Sequence, residues 1–249
     1  FSGSAVSSIV SGSSGNKKFY AKWEKDLSKW NAVTFLTDGH GTLSGTTSYA
    51  DILDGTKWSD AIASVPTTSA NTGYTFDKWA PSIPGSNTKI YSGAAYTATF
   101  KPVTYQITYV LNGGANNPAN PYLYTIESNT ITLKSPTKPM QVFLGWYESP
   151  NSSGSAVTSI PQGSTGNKIF YAKWENDSFF YKNINFITDG GGTLSGTTSY
   201  TDIFIGTLWG LAITVPTPVA YDGYNFDGWS PSIPFFLSQI WADATYTAN

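Results

Sequence analysis

Lys168-Ile-Phe-Tyr-Ala-Lys-Trp-Glu175 is written a second time in this 249-residue chain, almost unchanged, as Lys17-Lys-Phe-Tyr-Ala-Lys-Trp-Glu24. Phe170, Ala172 and Trp174 fall at every second position and share one face, as in a strand with that face turned to a core. The duplication extends outward from there. Residues 2–26 return as 153–177 with 19 of 25 positions identical, an offset of 153 − 2 = 151. Residues 35–58 return as 186–209 with 18 of 24 identities, and Gly73-Tyr-Thr-Phe-Asp-Lys-Trp79 returns as Gly223-Tyr-Asn-Phe-Asp-Gly-Trp229. Self-similarity on this scale marks a tandem array of small modules.

The long period holds two dissimilar units, A and B. A complete A unit is expected at 104–176 and B units at 31–101 and 183–249, while residues 1–26 correspond to the last third of an A unit. A unit of about 70 residues lies near the lower limit for a domain without metal or disulfide. A third of such a unit buries too little apolar surface to offset the entropy of ordering itself. The expectation is that upstream sequence or a neighbouring subunit completes it. At the other end, Tyr246-Thr-Ala-Asn249 matches Tyr96-Thr-Ala-Thr-Phe100 up to its closing Phe, so both ends read as cut from a longer run.

Composition narrows the function classes. Charged residues make up 12% of the chain and the net charge is −2, which leaves no basic patch for nucleic acid or an anionic membrane. Aromatic residues reach 16%, and Thr, Ser, Gly and Asn fill the surface positions, as in extracellular β proteins. The absence of Cys removes disulfides and thiolate metal sites. No run approaches the roughly 20 apolar residues that span a bilayer, so this segment is not expected to insert into a membrane.

In the A unit, strands are expected at 104–111, 123–126, 131–133, 142–146 and 168–174, separated by Pro, Gly, Asn and Ser clusters. In the B unit, Val33-Thr-Phe-Leu-Thr37, Asp38-Gly39 and 41–49 read as a hairpin. Lys57-Trp-Ser-Asp-Ala-Ile-Ala63 spaces Trp58, Ala61 and Ile62 for one short helix ahead of Val65-Pro66, and 74–79 and 95–100 supply closing strands. The expected class is α+β and strand-rich, each module a mixed sheet with one short helix.

Tyr124-Thr-Ile-Glu-Ser-Asn-Thr-Ile-Thr-Leu133, Phe143-Leu-Gly-Trp-Tyr147, Thr158-Ser-Ile-Pro-Gln-Gly-Ser-Thr-Gly-Asn167 and Phe170-Tyr-Ala-Lys-Trp-Glu175 resemble the Listeria–Bacteroides repeat, the internalin B-repeat type. The resemblance spans the A unit and implies β-grasp, ubiquitin-like modules strung along secreted or wall-attached bacterial proteins. The B unit is similar to a related surface repeat. One departure is Lys138-Pro-Met-Gln-Val-Phe143, where Gly-Tyr-Thr-Phe would be expected.

Candidate chemistry is sparse. His40, the single His, aligns with Gly191 and reads as a turn residue. Asp38 and Asp189 precede Gly in turns without a following ligand loop for calcium. No catalytic residue, cofactor or metal site is assigned. Trp23, Trp58, Trp79, Trp146, Trp174, Trp209 and Trp229 recur in phase and are expected in cores, whereas Trp30 and Trp241 suit the surface. Lys22 and Lys173 beside aromatic strands are candidates for Lys–Asn crosslinks, against a plain role as solvated edge lysines.

The two B units differ in one sense. Asp54, Lys57 and Asp60 become Ile205, Leu208 and Leu211, Gly85-Ser-Asn87 becomes Phe235-Phe-Leu237, Tyr91 becomes Trp241, and Asp26-Leu-Ser-Lys-Trp30 becomes Asp177-Ser-Phe-Phe-Tyr181. Apolar residues gathered on a surface mark a contact site. Phe179, Phe180, Tyr181, Phe235, Phe236, Leu237 and Trp241 are therefore expected at a subunit interface, the alternative being packing between adjacent modules of one chain. The functional expectation is a non-enzymatic structural segment of an extracellular bacterial surface protein, a stalk or self-assembling fibre whose partner is another copy or a neighbouring repeat. The alternative is an adhesin for a host protein or glycan.

Overall fold

The computed structural model describes residues 4–249. The chain falls into two compact units, Phe1–Val103 and Thr104–Asn249. Phe1 to Gly3, part of the 1–26 range assigned to a partial A unit, lie outside the described residues.

In the first unit, residues 4–26 take no place in a strand or helix. The carboxylate of Asp26 then accepts the Ser28 N–H at 3.0 Å and caps a 3-10 turn, Leu27–Lys29. Strands β1 (Trp30–Thr37), β2 (Gly41–Ser44), β3 (Ser48–Leu53) and β4 (Thr56–Lys57) follow, then the single helical turn α1 (Trp58–Ala61), then β5 (Thr67–Ala70), β6 (Tyr74–Ala80), β7 (Lys89–Ile90) and β8 (Ala94–Pro102). The main sheet has the order β3-β1-β8-β6, with β1 and β8 parallel at its centre and both outer pairs antiparallel. This arrangement, first strand beside last with a hairpin partner on each side, is that of a β-grasp module. Val33, Phe35, Ile52, Trp58, Ile62, Ile90 and Tyr96 form its core. Phe35 sits among Trp58, Trp79 and Tyr96 with ring centroids 5.4–6.4 Å apart.

The second unit opens with β9 (Tyr105–Val110), β10 (Leu123–Tyr124), β11 (Ile131–Thr132), β12 (Gln141–Tyr147), β13 (Ser159–Ile160) and β14 (Lys168–Asn176). The order β10-β9-β14-β12 repeats the first sheet, again with parallel central strands. Its separate core holds Ile107, Tyr124, Leu133, Trp146, Ile160, Phe170 and Ala172. Asn120 is buried there, and its amide accepts the Lys134 N–H at 2.7 Å while donating to the Lys134 carbonyl at 2.9 Å and Asn116 at 2.8 Å. Both ends of the amide are thereby satisfied.

After β14 come β15 (Tyr181–Thr188), β16 (Gly192–Ser195), β17 (Ser199–Phe204), α2 (Trp209–Ala212), β18 (Thr217–Ala220), β19 (Trp229–Ser230) and β20 (Ala244–Ala248). The sheet order β17-β15-β20-β19 and the core of Ile184, Phe186, Ile203, Trp209, Ile213, Ile240 and Tyr246 duplicate the first unit position for position, Ile184 standing where the first has Val33. Even the bulge recurs, with Asp51 at φ 58° and Asp202 at φ 56° in the left-handed region that Asp tolerates.

The chain is strand-rich, with mixed sheets in small tandem modules, and four details depart from the sequence expectation. The Asp38-Gly39 turn does not join a hairpin: β1 pairs with β3, and β2 leaves to pair with β5. The Asp38 carboxylate accepts the His40 and Phe100 N–H groups at 3.0 and 2.8 Å, which turns the backbone away from β1. The A module has no helix among its described residues: where α1 comes after β3 in the first unit, the strand equivalent to β3, β10, is followed by a tight turn in which the Ser128 N–H donates to the Thr125 carbonyl at 3.1 Å, and the chain runs straight on to β11. Of residues 223–229, Trp229 alone joins a strand, whereas in the first copy β6 pairs from Tyr74 onward. Trp23 is 89% exposed, while the other six recurrent Trp residues are buried in or packed against a core.

The departure at Lys138-Pro-Met-Gln141 has a conformational reading. In all three modules a four-residue turn precedes the outer strand that pairs antiparallel with the last one (β6, β12, β19), the fourth N–H donating to the first carbonyl: Tyr74 to Asn71, Tyr224 to Tyr221, Gln141 to Lys138. The third residue is Gly73 (φ 84°), Gly223 (φ 86°) and Met140 (φ 58°). A left-handed conformation costs a side-chain-bearing residue roughly 1–2 kcal/mol, and Met140 is too exposed to recover much by packing. Met140→Gly is expected to stabilise the A module by about 0.5–1 kcal/mol after the added chain entropy, measured as a rise in its urea midpoint.

Half-buried Tyr109 yields a second expectation. Burial, with the neighbouring Tyr122 adding to it, pushes its phenol from 10.0 up to about 12. A raised value means that stability is intact below pH 10 and falls as pH rises from 10 toward 12, while the unfolded chain ionises and the folded one does not. Tyr109→Phe, which also removes a 3.1 Å bond to the Pro121 carbonyl, should abolish that alkaline loss in a pH-resolved denaturation series.

Candidate interaction surface

The second B module shares the strand order and core positions of the first, so differences between them at exposed positions report on what faces outward. The 177–181 turn is built like 26–30: the Asp177 carboxylate accepts the Phe179 N–H at 2.9 Å and the Asp177 carbonyl accepts the Phe180 N–H at 2.8 Å. Phe179 and Phe180 meet edge to face at 4.9 Å. The Phe180 carbonyl accepts the Ile205 N–H at 2.9 Å, and Tyr181 lies across Phe204 at 5.7 Å. Gly206 next donates to the Ile240 carbonyl at 2.8 Å, placing the Trp241 ring 3.5 Å from where a Gly206 Cβ would stand. Three stretches far apart in sequence are thus tied together through backbone bonds.

The 235–237 loop is held the same way. Trp209 and Gly210 at the start of α2 donate to the carbonyls of Ser238 and Phe236 at 2.7 and 2.9 Å. The Phe236 ring lies on Gly210 so closely that a Cβ there would fall 1.9 Å from it. In the first module the same bond joins Ser59 to Ser86 at 3.0 Å. Ser59 to Gly and Ser86 to Phe are therefore one coupled change: loss of a side chain made room for a ring.

Phe235, Phe236, Leu237 and Trp241 remain 89%, 60%, 72% and 61% exposed, and Phe179 is exposed as well. Phe180 and Tyr181 are half-buried, Tyr181 as the first residue of β15. Leu211 and Phe204 are exposed as well and belong to the set. The sequence flagged Leu211 as changed, and Gly210 was legible only as the partner of Phe236.

Groups with chemical potential lie elsewhere and are occupied structurally. His40 stacks on Tyr74 at 4.2 Å and its N–H caps the Asp38 turn, as Gly191 N–H does for Asp189 at 2.9 Å. Lys22 pairs with Glu24 at 3.0 Å, and Lys173 lies over the Tyr147 ring at 5.6 Å. Among the described residues no three His, Asp or Glu side chains converge to hold a metal, and no helix is long and apolar enough to cross a membrane. A cavity of about 80 Å3 in the second B module, lined by Gly192, Val219, Tyr224 and Phe226, has Asp189 as its one carboxylate.

The class defined by this architecture is a tandem array of β-grasp modules. Residues 105–173, nearly the whole A module, match the family model of the Listeria-Bacteroides repeat domain. No curated protein matches the chain. Among solved structures, domains 3-4 of the Streptococcal High Identity Repeats in Tandem (SHIRT) from a cell surface protein resemble it at 17% identity and a TM-score of 0.29, over 59% of this chain and 97% of that one.

The Asp38 turn carries a pH signature. Burial acts to raise its carboxyl, but the N–H bonds from His40 and Phe100 outweigh it and hold the value below 3.8. That stabilisation is complete above pH 3.8 and is lost as pH falls through the lower folded value. Asp38→Asn should flatten the acid-unfolding profile of the first B module in that window, followed by hydrogen exchange across β1.

Proposed function

We propose that this chain is a non-enzymatic structural segment of an extracellular bacterial surface protein, in which β-grasp modules in series form a stalk or a fibre. The apolar face of the second B module is where one copy meets the next. One observation carries the reading. Two modules with the same core positions, all filled alike except Val33, which is Ile184, and the same strand order differ by a concerted change from polar to apolar at exposed positions. Packing within the module does not require that change, since the first copy folds without it. The repeat-domain family of the A module fits a structural role, and the scarcity of converging titratable groups gives catalysis little to work with.

Exposed aromatic residues also stack on sugars, so adhesion to a host glycan or protein is the second reading, favoured by Trp241 and the Phe235–Phe236 pair. Self-association and ligand capture separate experimentally. Under the leading reading the chain sediments as oligomers or shows filaments by negative-stain electron microscopy. The double variant Phe235→Ser, Phe236→Ser then weakens association by about 3 kcal/mol or more, over a hundredfold in Kd. Dispersed single molecules for both proteins, with saturable glycan binding lost in the variant, would favour the adhesin instead.

A further inference from the structure

The change between the two B modules removes charge as well as polarity. Lys29, Asp54, Lys57, Asp60 and Lys89 of the first module stand where the second has Phe180, Ile205, Leu208, Leu211 and Gln239. Two charges are gained in the same stretches, and both are engaged by the backbone: the Lys182 ammonium donates to the Ser178 carbonyl at 2.6 Å, and the Asp243 carboxylate accepts the Asn183 N–H at 2.6 Å. The corresponding positions 57, 60, 85–87, 89 and 91 are exposed in the first B module, from which the sequence runs on into an A unit. A B unit with a further unit after it therefore displays this face too.

The apolar replacements share one frame. The 235–241 loop runs alongside residues 206–210, tied to it by the N–H bonds from Gly206 to Ile240, Trp209 to Ser238 and Gly210 to Phe236 and by a bridge between Leu208 and Gln239. Phe204 accepts the Thr207 N–H at one end of this frame, and Leu211 follows Gly210 at the other. Phe204, Leu211, Phe235, Phe236, Leu237 and Trp241 are 45–89% exposed. With aromatic side chains taken at about 200 Å2 each, these six present roughly 800 Å2. The largest apolar patch on a typical monomer is about 300–600 Å2. A stable interface takes about 800 Å2 from each partner. The rings of Phe236 and Trp241 already rest against Gly210 and Gly206, so little side-chain freedom is left to lose on contact.

We propose that this face pairs with the same face of a second copy about a two-fold axis, the second B module of one chain docking on the second B module of the other. The inference rests on the reading above that the face joins copies, and it specifies the surface that the face meets. A partner has to be neutral as well as apolar, because a charge pressed against these side chains would lose its water with nothing to pair with. The equivalent face of the first B module, with Lys57, Asp60 and Lys89 exposed, does not satisfy that condition. The face of a second copy does, and its area is equal by identity. A contact of this kind uses up the face on both partners and closes the pair, so growth into a fibre falls to a different surface.

The test compares three combinations of the intact chain: wild type with wild type, wild type with Leu237→Asn, and Leu237→Asn with itself. Asn is the residue that the first module carries at this place, as Asn87, and Leu237 is exposed, so the fold is not at stake. A trace of fluorescently labelled chain is titrated with unlabelled chain, and Kd is read from anisotropy. Across a two-fold axis each copy contributes Leu237 once. The mixed pair should therefore weaken about tenfold, and the variant pair by the square of that, about a hundredfold. Undiminished binding of the labelled variant to wild-type chain, with loss only when both carry the change, means that the face meets a different surface; two-fold pairing then fails and the association reading stands. Equal affinity in all three combinations overturns the pairing as well. Wild-type chain that stays monomeric at every concentration removes both.

Discussion

Each module depends on its last strand reaching the side of its first. The parallel pairs β1 with β8, β9 with β14 and β15 with β20 form the middle of each sheet, and the late strand brings Tyr96 and Ala98, Phe170 and Ala172, or Tyr246 and Ala248 into the core. A central strand is bonded on both edges and buried on one face, so no local preference substitutes for it. Until it arrives, the earlier strands have an open edge and an unfilled core. This is why nearly the same 23 residues are core in one place, 155–177, and surface in another, 4–26. Context, not composition, decides which.

Around that constraint the local chemistry is repeated with little variation. A carboxylate caps the entry turn at Asp26 and Asp177, a left-handed Asp forms the bulge at Asp51 and Asp202, and a left-handed residue closes the turn before the outer strand that pairs with the last one in every module. Where one of these is altered, as at Met140, the geometry is kept and the energetic cost is accepted. Outward positions are freer. The Ser59 and Ser86 pair became Gly210 and Phe236 without disturbing the backbone bond beneath, so the same frame displays a polar surface once and an apolar one once.

Much of this was legible from the repeats. In-phase recurrence identified Trp58, Trp209, Trp79, Trp229, Trp146 and Trp174 as core or core-packed residues, and the change from polar to apolar between copies singled out Phe235, Phe236, Leu237 and Trp241. Pattern did not reveal that β2 abandons β1 after Asp38-Gly39. A hairpin signal is local, whereas the bond from the Phe100 N–H to Asp38 crosses 62 positions of sequence. Nor did pattern place Trp23, whose sequence is that of a buried residue and whose burial requires strands that residues 4–26 do not contain.

The sequence by itself determined the modular period, the strand-rich class, the recurrent Trp residues that anchor the cores and turns that need Gly or Asp, because these follow from side-chain periodicity and backbone sterics over a few residues. Only the tertiary structure decided which strands are neighbours, that the first and last run parallel, and which of two nearly identical segments is buried. Those outcomes depend on bonds between residues about 60 positions apart, and a strand's own residues carry no record of which edge it will meet.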